Sequence, residues 1–171
     1  MWMLFELILT LLIITTALFI HEVGHAIPAL LRNKRVKVEI YMGSTSKENK
    51  LKLRFGRLTC YLTFAFSGLC RISNSDQLPA PTNKQRLLFG AGGPAISLIG
   101  FVTLYFFSYL IAGVPGIIIN RLALASLITF FFTAVPFTYP SFMKNLGGYQ
   151  SDGLYIWNVF KDMKKEAKAV S

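Results

Sequence analysis

Three long apolar stretches, separated by polar and basic segments, organise this chain. They run from about residue 4 to 29, 87 to 112 and 117 to 135. Each supplies the roughly 20 apolar residues that a helix needs to cross a bilayer, so the pattern predicts three transmembrane helices. Between the first two the pattern changes to a period of two. Val36-Lys37-Val38-Glu39-Ile40 and Leu51-Lys52-Leu53-Arg54-Phe55 alternate apolar with polar, which predicts strands with one apolar face. Gly43-Ser44-Thr45-Ser46 supplies turn residues between them. Leu58 to Leu69 is almost continuously apolar but too short to span as a helix. It reads as a buried strand pair or re-entrant sheet shielded by the helices, or as a small meander resting on the membrane. The strand-rich insertion thus covers about residues 36–72. Residues 153–168 form an amphipathic pattern. Leu154, Ile156, Trp157, Phe160 and Met163 give it apolar surface, and Lys161, Lys164, Lys165 and Lys168 cluster toward its end. This segment is expected to lie at the interface, Trp157 at headgroup depth. The expected fold class is therefore an α-helical integral membrane protein, one membrane-embedded domain over residues 1–171.

Composition agrees with that picture. Hydrophobic residues make up 53% of the 171, and the mean hydropathy is +0.49. A formal net charge of +10 raises the question of nucleic acid, but no basic recognition helix or stacking module stands out. The basic residues instead flank the spans. None precedes the first span, twelve lie between Arg32 and Arg86, Arg121 lies in or beside the connection between spans two and three, and five follow from Lys144. The positive-inside rule then sets the N-terminus outside and the C-terminus in the cytoplasm. The first span lacks the basic leader of a signal peptide and is expected to be retained. Cys60 and Cys70 lack metal-site spacing and read as small apolar residues.

Ionisable groups inside a span are costly and mark function. The first span carries His21-Glu22-Val23-Gly24-His25, which contains both histidines of the chain. Residues four apart share a helix face, so His21 and His25 can address one metal ion. Glu22 beside them is placed to take a proton from a water polarised there. Pro28 is expected to kink or end this helix. Catalytic zinc usually has three protein ligands. Glu6 lies too far along the helix to be the third, Glu39, Glu48 and Asp76 lie in the basic segment, and Asp162 and Glu166 sit among lysines. Asp152 remains, in a glycine-rich stretch after the third span. Its competing role is to cap the helix that follows. Next to the histidine pair, the ligand role is the stronger reading.

Together these residues resemble the site-2 protease family of intramembrane zinc metalloproteases. The resemblance rests on His21, Glu22 and His25, on Asp152-Gly153 two spans later, and on Gly93-Pro94, similar to the family's Gly-Pro-x-x-Asn element. Ser97 stands where that element carries Asn, Thr133-Ala134-Val135-Pro136 is similar to an Asn-x-x-Pro element without its Asn, and Gln150-Ser151 replaces Asn-Pro before Asp-Gly. The resemblance implies one zinc per chain, Glu22 as catalytic base, His21, His25 and Asp152 as ligands, and a membrane-anchored protein or peptide as substrate. Regulation is expected from an unidentified membrane partner or from substrate access. Ser97 and Asn145 are the candidates for steadying the oxyanion. The strands at Val36–Ile40 or Leu58–Phe66 are expected to hold an extended substrate by strand addition. Two other readings compete with this one. One is a catalytically inactive membrane protein of the same fold that binds a partner or membrane peptide. The other is a transporter or channel subunit with a structural metal, for which internal repeats are not evident.

Overall fold

The computed structural model describes residues 2–143 and 146–170, with no side-chain description at 169 and 170. Three long apolar helices form the body: α1 (Trp2–Arg32), α2 (Asn83–Ser108) and α3 (Val114–Ala134). Each is long and apolar enough to cross a membrane. Large apolar side chains stay exposed along all three, among them Phe5, Ile8, Leu12, Ile99, Phe106, Ile128 and Phe131. Such a surface suits lipid rather than water.

Local chemistry sets the helix ends. Thr82 and Gln85 cap the start of α2 reciprocally, each side chain accepting from the other's backbone N–H. That capping box moves the start of α2 four residues ahead of the expected span. α3 begins after Gly113, whose φ of 75° few other residues adopt, with a proline in its first turn. It ends at Ala134 because Pro136 disfavours helix at Val135, which is extended. Pro28 does not end α1, which continues to Arg32. Arg121 lies within α3 rather than in the connection, and its guanidinium meets Glu6 of α1 at 2.8 Å.

The insertion after α1 is a four-stranded mixed sheet of β1 (Val38–Met42), β2 (Leu51–Phe55), β3 (Leu58–Leu62) and β4 (Gly68–Ile72), in the order β2-β3-β1-β4. β1 runs parallel to β3 and antiparallel to β4, and β2 pairs antiparallel with β3. The expected strand at 36–40 thus sits two residues later. Val38, Ile40, Met42, Cys60 and Cys70 pack with Ala26 and Ala29 of α1 in the core. The other face carries Glu39, which accepts hydrogen bonds from Tyr41 (2.7 Å) and Lys47 (3.2 Å) and pairs with Arg71 (3.0 Å). Both cysteines are free, as expected of small core residues.

The connection leading into β4 is tied to the middle of α1. Thr15 Oγ1 donates to the Ala65 carbonyl (3.2 Å) and accepts from the Ala65 N–H (3.0 Å). The last helix, α4 (Asp152–Val170), packs on α2, with Arg86 pairing Asp162 at 3.1 Å and Asn83 donating to Glu166 at 2.7 Å.

Candidate metal centre

His21 and His25 lie on one face of α1, one turn apart, with both side chains buried. Each ring is oriented through its Nδ1. His25 Nδ1 lies 2.6 Å from the Phe89 carbonyl of α2, which can only accept, so Nδ1 carries the proton there. His21 Nδ1 lies 3.0 Å from Ser97 Oγ. These outer contacts turn both Nε2 atoms inward, 3.2 Å apart. Ser97 is fully buried and engaged by His21.

α4 delivers the third group. Asp152 Oδ2 is 3.0 Å from His21 Nε2, and Oδ1 is 3.3 Å from His25 Nε2. Burial pushes the Asp152 carboxyl up, but the two histidine rings beside it outweigh this and hold it at about 2, an ionised donor. Asp152 does not cap α4. Ser151 does: its Oγ accepts from the N–H groups of Leu154 (3.2 Å) and Phe137 (3.1 Å) and donates to the Val135 carbonyl (2.7 Å). That knot fastens the start of α4 to the end of α3 and frees Asp152 to face the histidines. Sequence reading passed over Ser151, although a serine one residue before a helical start is a recognised capping signal.

Does this set suit a metal? One donor atom from each of His21, His25 and Asp152 lies within 4.8 Å of the others. Two neutral imidazole nitrogens and a carboxylate oxygen are a zinc-type donor set. The space they face is kept open by Gly93, where a Cβ would overlap His25 Nε2 and lie 2.6 Å from His21 Nε2. The group could therefore hold one ion.

Glu22 is buried beside this centre, against β4. A Cβ at Gly68 would lie 2.5 Å from Glu22 Oε1, and the Cys70 backbone N–H is directed at the carboxylate. The orientation of β4 follows from its pairing. Gly43 N–H donates to the Ser67 carbonyl and Ser73 N–H to the Lys37 carbonyl, so odd-numbered residues bond β1. Gly68, Cys70 and Ile72 turn their backbone groups outward, along an edge with no partner strand among the described residues. A cavity of about 560 Å³ adjoins this edge and His21, His25 and Asp152, and is walled also by Ile128, Thr129 and Phe132 of α3.

This order overturns the expectation that Val36–Ile40 or Leu58–Phe66 takes up a strand. β1 is flanked by β3 and β4, and β3 by β2 and β1, so neither has a free edge. Asn145 lies outside the described residues.

The chain matches the model of peptidase family M50 over residues 9–170, a span that contains all four site residues. It belongs to peptidase family M50. This is the site-2 protease family that the motifs implied, and members of M50 are zinc metalloproteases. Comparison with curated proteins gives no match. The matched span includes the buried His21, Glu22 and His25 of α1 and Asp152 at the start of α4.

Proposed function

We propose that this chain is an intramembrane zinc endopeptidase that hydrolyses peptide bonds within or beside the spans of membrane-anchored substrates. The convergence of His21, His25 and Asp152 beside Glu22, in a cavity walled by an apolar helix and an open strand edge, carries the reading. His21, His25 and Asp152 hold one zinc, and residues 1–171 act as a single membrane-embedded domain. Bound zinc would supply Lewis acidity, lowering the pKa of water to about 7 and polarising a carbonyl.

The chain's own groups supply the rest. Glu22 takes one proton of the attacking water and passes it to the leaving amine, so that water and one peptide bond become a carboxylic acid, which keeps the second proton, and an amine. A helical substrate hides its carbonyls in its own hydrogen bonds, so it must be extended to react. The outward groups of Gly68 and Ile72, with the Cys70 carbonyl, can pair with such an extended segment and draw it past Glu22. Phe89 and Ser97 fix the histidine rings, and Ser151 fixes Asp152.

Membrane placement follows the charge pattern, with the N-terminus outside and the C-terminus cytoplasmic. The Thr15–Ala65 tie supports an immersed position for the sheet. Thr15 lies six residues, or about 9 Å of helix, farther from the cytoplasmic end of α1 than His21. Phe64 and Phe66 are largely exposed beside it, as a lipid-facing tip requires.

The test is metal content and cleavage together, on detergent-purified wild type, Glu22→Gln and Asp152→Ala against a panel of single-span substrates. One zinc per chain is expected, kept in Glu22→Gln and weakened in Asp152→Ala, with cleavage only by wild type. Absence of stoichiometric zinc under metal-replete conditions overturns the reading in favour of an inactive binding protein of the same fold.

A further inference from the structure

A developing oxyanion needs a donor besides the metal, and the cavity offers few. No Lys or Arg lines it among the described residues. Ser97 is engaged by His21 Nδ1 and Ser151 by its capping knot. Thr129 and Thr133 spend their hydroxyls on carbonyls of their own helix. Tyr155 bonds Arg86, and Tyr149 is largely exposed.

Tyr139 differs from all of these. It follows α3 beside an antiparallel bridge between Thr138 and Gln150, two residues before Asp152. Its N–H donates to the Tyr149 carbonyl (2.9 Å) and its carbonyl accepts from Gly148 N–H (3.0 Å), so its backbone is held on both sides. Its ring packs edge-on against Phe137, with centroids 4.8 Å apart. From that fixed root the half-buried side chain lines the same cavity as His21, Glu22, His25 and Asp152.

We propose that the Tyr139 phenol is a further catalytic group, donating a hydrogen bond to the oxyanion formed on the scissile carbonyl. This inference rests on the endopeptidase reading above. As the water oxygen bonds to the carbonyl carbon, Glu22 receives the water proton and the carbonyl π electrons move onto oxygen. Tyr139 shares its proton with that oxygen and keeps it. When the carbonyl re-forms, the C–N bond breaks and the amine leaves with the proton held by Glu22. A phenol with an ordinary pKa of about 10 is a donor at neutral pH, and burial of Tyr139 pushes it further up. A neutral donor also avoids a second buried cation beside the metal. Loss of one such donor typically costs about 10²–10³ in kcat.

The experiment compares Tyr139→Phe with wild type, using Ser67→Ala and Tyr149→Phe as controls on two other hydroxyls of the cavity. Three quantities are read: bound zinc, kcat and KM on the best-cleaved single-span substrate, and affinity for a phosphinic pseudopeptide of the same sequence. The tetrahedral phosphinate carries the oxyanion without reacting. Tyr139→Phe is expected to keep full zinc and KM within about twofold, while kcat and phosphinate affinity both fall about 100-fold. The controls should stay near wild type. Wild-type kcat and phosphinate affinity in Tyr139→Phe overturn the assignment, as does an equal loss in Ser67→Ala. A zinc-loaded wild type that cleaves no member of the panel instead overturns the endopeptidase reading beneath it.

Discussion

Gly24 of α1 and Gly92 of α2 meet backbone against backbone. A Cβ on either would overlap the carbonyl oxygen of the other. Small residues allow such close crossings in a membrane, where packing rather than water drives helix association. This one brings Gly93 and Phe89 against the histidine face of α1. Gly92→Ala should therefore force the helices apart and destabilise the fold by about 1–3 kcal/mol, the usual range for overpacking. A lowered thermal midpoint in detergent checks this. An unchanged midpoint would mean that the crossing relaxes easily.

Gly93 should respond differently. Its missing Cβ leaves the space faced by both Nε2 atoms. Gly93→Ala is expected to bind much less than one zinc per chain, because the new methyl competes for the metal position. Zinc content, measured beside far-UV circular dichroism, separates a blocked site from an unfolded chain.

Ser97 acts one bond further out. Removing its hydroxyl leaves His21 Nδ1 without its partner. Ser97→Ala should weaken zinc by about 10–100-fold, the usual effect of losing a histidine's outer hydrogen bond. Competition with a fluorescent chelator reads this directly. Ser97→Asn tests whether that position tolerates a larger donor.

These three positions show what the sequence made legible. The spans, the histidine pair and Asp152 could be read from it, because a bilayer imposes a minimum length and because helix spacing brings residues four apart together. The supporting contacts could not. Ser97 and His21 are 76 residues apart, and Phe89 acts through its carbonyl, which every residue possesses. Strand order was equally hidden. Alternation identifies a strand's apolar face but not its neighbours, so β1 and β3 passed for edges when they are interior. The capping box at Thr82 and the cap at Ser151 did carry local signals, in a serine or threonine just ahead of a helical pattern.

Away from the metal, Glu39 sets a pH dependence. Burial raises its pKa, but hydrogen bonds from Tyr41, Arg71 and Lys47 outweigh this and hold it below its ordinary value of 4.5. A carboxylate depressed on folding stabilises the sheet fully above its unfolded pKa. That contribution is lost as pH falls through the lower folded value. Stability should thus decline as the solution is acidified below about pH 4.5, and Glu39→Gln should flatten that part of the profile. Chemical denaturation at pH 7 and at successively lower pH gives the comparison. Parallel curves for the two proteins would remove Glu39 as the source.

The unpaired edge of β4 has a consequence for the products. Its outward backbone groups recur every second residue, so a segment that slides by one loses its bonds and turns its other face to the cavity. A slide of two restores both. If the edge holds the substrate, miscutting should therefore be quantised. Mass spectrometry of the fragments would show a main scissile bond flanked by minor ones two residues away, with the bonds between them intact.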